Sequence, residues 1–129
     1  MFGRKKTATP TTTLTHVAGD KQVKVGGFIY RQEDAAQVFG GLGCLTETTM
    51  VAVLRPMPPN DYNPTPIEVW MGGRHIGWVA DEDSLRYWKT LSDAYYARNT
   101  LATCAAHIKT DNFGGVSKVR LLLPAHVKL

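Results

Sequence analysis

Long apolar runs are missing from this 129-residue chain. No window comes near the ~18 consecutive apolar residues that a membrane-spanning helix needs, so no membrane segment is expected. Cysteine is scarce as well. Cys44 and Cys104 stand far apart, make no CxxC pair and share no ligand-like spacing with a histidine. The start, MFGRKKTATPTTT, is basic but is followed by no apolar stretch, unlike a secretory signal. A cytoplasmic location is therefore expected, with both thiols reduced and packed as small apolar side chains rather than joined or bound to metal.

Catalytic constellations are absent too. His16, His75, His107 and His126 fall in no HExxH, HxH or Cys/His cluster, so no metal site is expected. There is no GxSxG and no P-loop. The glycine pairs Gly26-Gly27 and Gly40-Gly41 do not build a GxGxxG after a strand. The acidic groups Glu33-Asp34 and Asp81-Glu82-Asp83 suit the first turns of helices, and a carboxylate nuclease would need acids converging on one strand end. The chain reads as a binding module without a cofactor, not as an enzyme.

Net charge is lacking from the body of the chain. The formal charge is +4, yet residues 1–24 hold five Lys and Arg against Asp20 alone, and the remainder holds ten of each sign. The domain as a whole thus makes no bulk electrostatic case for nucleic acid, although a local patch is compatible with this balance.

What is present is one ordinary core. Apolar content of 43% and charged content of 20% suit a single globular domain. Residues 1–22, rich in Thr and Lys with little to bury, read as a flexible basic tail, and residues 23–129 as the domain. Val23 to Tyr30 reads as a strand interrupted by Gly26-Gly27. Gln32 to Phe39 reads as a short helix with Ala35, Val38 and Phe39 on one face, stopped by Gly40-Gly41. Thr49 to Leu54 is almost continuously apolar, which predicts a strand covered on both faces, as in a small barrel.

Between Pro56 and Pro66 lie five prolines, at 56, 58, 59, 64 and 66. Each fixes its own φ, removes an amide donor and restrains the residue before it. The loop is therefore stiff, and it carries Asn60, Asp61, Tyr62 and Asn63. On these residues alone it reads first as a turn, because Asn, Asp and Pro are ordinary turn formers. Its second reading is a rigid presenting surface, which loses little entropy on binding.

Ile67 to Met71 alternates, Gly72-Gly73 makes a hairpin turn, and Arg74 to Val79 returns. Asp81 is the expected N-cap of a helix whose stripe is Leu85, Trp88, Leu91 and Tyr95. Leu101 to Lys109 places Ala102, Cys104, Ala106 and Ile108 on one face. Val116 to Leu123 places Val119, Leu121 and Leu123 likewise. In simple register His107, Lys109, Lys118 and Arg120 share the opposite face, either as a basic patch or as a plain solvated surface.

The string from Leu54 to Val79, LRPMPPNDYNPTPIEVWMGGRHIGWV, resembles the HIRAN family. That family shows a strand ending in Arg or Glu, an Asn-Pro-Tyr-Asp-x-Asn-Ala-Ile/Val motif, a strand, a Gly turn and Val-Gly-Tyr/His-Ile/Leu. Here the corresponding residues run from Asn60 to Ile67, then Gly72-Gly73, then Ile76-Gly77-Trp78-Val79. Val25 to Tyr30 is similar to the family's opening strand, and the likeness covers roughly residues 23–123. The resemblance implies a mainly β, α+β fold: a small OB-like barrel of about six strands with one or two packed helices. It implies a module binding the 3′ end of single-stranded DNA in a repair or processing context, with a protein-interaction module as the alternative. A monomer or weak dimer is expected.

Carried over by position, Tyr62 and Tyr30 would stack on bases and Trp78 takes the aromatic place after Ile-Gly. Asn60 orders the loop or meets a phosphate, and Arg55 ends the preceding strand. Asn63 stands where the family has an Asp for the terminal hydroxyl. An Asn can bond a hydroxyl but lacks a carboxylate's charge-assisted strength. Asp61 replaces the motif Pro.

Overall fold

The computed structural model describes residues 11–129, apart from the side chains of residues 29 and 30. Seven strands and two helices follow one another: β1 (Thr13–His16), β2 (Lys21–Gly26), α1 (Gln32–Phe39), β3 (Glu47–Pro56), β4 (Ile67–Met71), β5 (Arg74–Val79), α2 (Asp81–Arg98), β6 (Thr100–Thr110) and β7 (Val116–Leu123). A short 3-10 turn, Phe28–Arg31, joins β2 to α1.

Strand pairing runs β3-β4-β5-β2-β7 and returns through β7 to β6 and so to β3. Six antiparallel strands thus close a barrel, which leaves none of them with an unpaired edge along its whole length. The seventh strand, β1, lies parallel to the start of β6, with Thr13 opposite Thr100 and His16 opposite Thr103. The protein is mainly β, a small OB-like barrel with two packed helices.

The period-2 pattern decides which face turns inward. Ala102, Cys104, Ala106 and Ile108 from β6 meet Val119, Leu121 and Leu123 from β7, all without solvent exposure. Leu54, Ile67, Val69, Val23 and Val25 fill the same interior, and each such side chain contributes about 1.5–3 kcal/mol on burial. Phe39 from α1 and Tyr87 and Leu91 from α2 complete it. Burial pushes the Cys104 thiol up to about 12 and raises the Tyr87 hydroxyl as well. Tyr87 donates its hydroxyl proton to the Pro124 carbonyl at 2.9 Å.

Several sequence expectations change here. Of the expected tail, residues 13–16 are a strand and Val17 is buried, because the main chain of β1 finds an open stretch of β6 beside it. Residues 1–10 lie outside the described residues. The first domain strand ends at Gly26, since Gly27 adopts φ 77° and turns the chain into the 3-10 segment. Strand β3 is covered on one face only: Ala52 and Leu54 are buried while Val51 is 59% exposed. The N-cap of α2 is Ala80, which supplies no side-chain cap. Its buried face is Ser84, Tyr87, Leu91 and Ala94, leaving Leu85 74% exposed. Trp88, partly buried, packs against the core as expected and also donates its indole N–H to the loop before β4.

Candidate nucleic-acid interface

The loop of residues 57–66 is held from inside and from behind. Asn60 Oδ1 accepts the N–H groups of Tyr62 and Asn63 at 2.8 and 2.9 Å, and the Asn60 N–H donates to the Asn63 carbonyl at 3.0 Å. Asn63 Oδ1 accepts the Thr65 N–H at 2.9 Å. These are Asx turns, the local bond that makes Asn a turn former. At the base, the Met57 N–H donates to the Pro66 carbonyl at 2.9 Å.

Helix α2 ties down the rear. Trp88 Nε1 donates to the Met57 carbonyl at 3.0 Å, and the Thr65 and Ser84 hydroxyls share a bond of 2.8 Å. With the backbone so engaged, the Tyr62 ring is left 97% exposed. The side-chain NH2 groups of Asn60 and Asn63 stay available as donors, because only their oxygens are used within the loop.

Opposite the loop stands Trp78 on β5. Its ring lies over Gly27, where an added Cβ would sit 2.5 Å from Trp78 Cε3. Gly77 beside it is equally constrained, since a Cβ there would meet the Gly26 carbonyl oxygen at 2.5 Å. The two glycines let β2 and β5 approach and bring the indole close against main chain. His75 meets Trp78 edge-on, with centroids 4.5 Å apart, and stacks on Trp70 at 5.6 Å. Its ring is fixed by a bond of 3.0 Å from Nε2 to the Gly77 carbonyl. Glu68 accepts the Trp70 Nε1–H at 2.9 Å. Trp78 is thus one end of a locked aromatic row.

Between loop and strand lies a groove of about 610 Å³. Asn60, Tyr62, Asn63 and Trp78 all line it, with Gly26, Gly27 and Asp81. Helix α2 begins in its wall, and the first-turn amides carry no side-chain cap. The positive end of that helix partly offsets the negative charge of Asp81.

Arg55 is not in this groove. It lines a second one of about 370 Å³, with Val51, Val53, Trp70, Tyr95 and Leu101, on the outer face of β3 and β4. Its Nε is buried without a hydrogen-bond partner. The Tyr30 side chain lies outside the described residues. The register of β6 and β7 does bring the basic side chains together, with His107 opposite Arg120 and Lys109 opposite Lys118.

Sequence reasoning passed over Glu68, His75 and the loop's ties to α2. Glu68, Trp70 and Trp78 share the outward parity of β4 and β5, and that alternation was visible. His75 was not, because a register shift between Val69 and Trp70 interrupts the alternation beside it. Among the described residues no group of three His, Cys, Asp or Glu is placed to hold a metal ion. Among them, too, no helix is long and apolar enough to cross a membrane. No protein-family model matches the chain, and neither does any curated protein or any solved structure.

Proposed function

We propose that this chain is a non-enzymatic, HIRAN-like module that receives the 3′ end of single-stranded DNA in the groove between residues 57–66 and β5, in the service of DNA repair or processing. One observation carries the reading. Asn60, Tyr62, Asn63 and Trp78 were singled out from a sequence motif, and all four line the same groove.

The chemistry follows from what each side chain has left to offer. Tyr62 presents a bare ring, and Trp78 presents a braced one. Stacking on either is worth about 1–3 kcal/mol per base and accepts any sequence. Asn63 uses one lone pair of its oxygen on the Thr65 N–H and keeps its NH2 free, so it addresses a terminal oxygen as an N–H donor. Asn60 sets the geometry of the loop that carries both. Because the loop is stiff before binding, little ordering entropy is lost on contact.

The test compares a linear labelled oligonucleotide with its circular form, which has no ends, and with a linear form phosphorylated at its 3′ end, by fluorescence anisotropy at low salt. Tighter binding of the linear strand with a free 3′ end than of the other two, lost in Tyr62→Ala, is the expected result. No binding at low salt, or binding indifferent to Tyr62→Ala, would sink the reading.

The second groove favours an alternative, a protein-interaction module. Val51, Val53, Trp70 and Leu101 form an apolar outer surface there, with Leu14 of β1 paired beside Leu101 and 58% exposed. Salt separates the two readings, since phosphate contacts weaken steeply with ionic strength and an apolar protein contact does not.

A further inference from the structure

The outer faces of β2, β7 and β6 carry a surface that the groove does not include. Lys24 lies opposite Arg120, and Arg120 lies opposite His107. Neighbouring strands stand about 4.8 Å apart, so this row of three crosses about 10 Å. A second row places Lys118 opposite Lys109, two residues along each strand. Lys24, Lys109 and Lys118 are exposed. No acid occurs in β2, β6 or β7. Glu47 of β3 reaches the patch from its far side, opposite Lys109 and 3.1 Å from His107 Nε2, and Asp81 adjoins its groove end beside Gly26. Among the described residues the three lysines and Arg120 make no ion pair. Side chains of like charge set side by side across strands oppose folding slightly. The arrangement makes sense once a polyanion neutralises it.

The patch is continuous with the groove. Alternate residues of β2 face outward, so Gln22, Lys24 and Gly26 share one side, and Gly26 is a wall of the groove. Lys24 stands about 7 Å further along the same strand. Resting on the end-binding reading above, we infer that this basic face is the path of the nucleic-acid backbone leading away from the groove. The strand leaves Trp78 over Gly26, and its phosphates meet Lys24 and Lys118, then Arg120 and Lys109. The contacts are to phosphates and carry no sequence information, as befits a module that takes any end.

Two readouts on the full chain keep the face and the groove apart. The slope of log affinity against log salt for a 12-nucleotide single strand reports the face. The preference for linear over circular strand reports the groove. The variant is K24Q/K109Q/K118Q, three exposed positions whose loss leaves the core intact, with melting temperature as the folding check. Each lost phosphate contact on single strands lowers the slope by about 0.7, so the expected fall is about 2 with the linear preference kept. An unchanged slope with the linear preference intact overturns the path alone. A reduced slope with no linear preference leaves the phosphate surface standing and overturns end binding. No binding of either strand by the wild type overturns both. Lysine-dependent capture of phosphatidylserine vesicles, with the DNA slope unchanged, assigns the face to membranes and overturns the proposal.

Discussion

Two loops of this protein use one device to opposite ends. In residues 57–66 an Asn60 side chain gathers two backbone N–H groups and leaves Tyr62 97% exposed. In the hairpin between β6 and β7, Asp111 Oδ1 accepts the N–H groups of Phe113 and Gly115 at 2.8 and 3.0 Å, and Phe113 is left 93% exposed. Each loop therefore holds up one bare aromatic on an Asx staple. What differs is the surroundings. Tyr62 shares a groove with its neighbour Asn63 and has Trp78 and the start of α2 across it, whereas Phe113 lines no cavity described above. The first loop is braced by Trp88 and Ser84 of α2, and the second by the connector before β3, where the Leu45 N–H donates to the Asp111 carbonyl at 2.9 Å. An exposed aromatic is thus no site by itself. It becomes one when a second wall stands at a fixed distance.

The sharpest way to break this comparison is to remove the first ring. Tyr62→Ala should weaken binding of a linear single strand by about 1–3 kcal/mol, read by anisotropy titration, with thermal stability unchanged. Alkali should strike the barrel that both loops share. The Cys104 thiol is raised by burial from the usual 9.0 to about 12, so the unfolded chain loses this proton first. Stability from this group is full below pH 9 and falls through the window from 9 to 12, by about 1 kcal/mol near pH 10. Tyr87, raised by its own burial, acts in the same direction. Urea titrations at pH 8 and pH 10 measure the drop, and Cys104→Ala should shrink it.

Cutting the two staples compares the loops directly. Asn60→Ala and Asp111→Ala should each cost about 1 kcal/mol or less of stability, because the freed amides are re-solvated. Only Asn60→Ala should lower affinity for the strand end, as measured in parallel melts and titrations. The smallest effect belongs to Phe113→Ala, which should leave both affinity and stability within about 0.5 kcal/mol of the wild type.

The barrel was largely legible in the sequence because its strands obey period 2 so plainly. Ala102 to Ile108 and Val119 to Leu123 point inward as their alternation requires, and Gly72-Gly73 turns where expected. The failures have separate causes. Thr13 to His16 has no apolar pattern, and it is ordered through main-chain pairing that side-chain identity does not report. The spacing in α2 predicts a stripe of Leu85, Trp88, Leu91 and Tyr95; Leu91 and Trp88 pack inward, but Ser84 bonds Thr65 on the inner side and Leu85 is left exposed. Within the candidate site, the motif names the loop residues and Trp78, and these line one groove. The placement of Arg55 could not be read from it, because its outward parity on β3 aims it at a surface distinct from the loop that follows it. His75 needed the bulge.

Strand β2 pairs with β7 across almost the whole length of the chain, Lys21 opposite Leu123, and the same strand supplies Gly26 to the groove. A polypeptide made from its N-terminus onward therefore holds Asn60, Tyr62, Asn63 and Trp78, and the β5 strand that pairs Gly26 with Trp78, long before the β7 that closes the barrel exists. Pairings this distant are the slow ones to form. The barrel behind the groove is closed by its last strand, so a chain still being synthesised carries every residue of the site before the scaffold that backs it is complete.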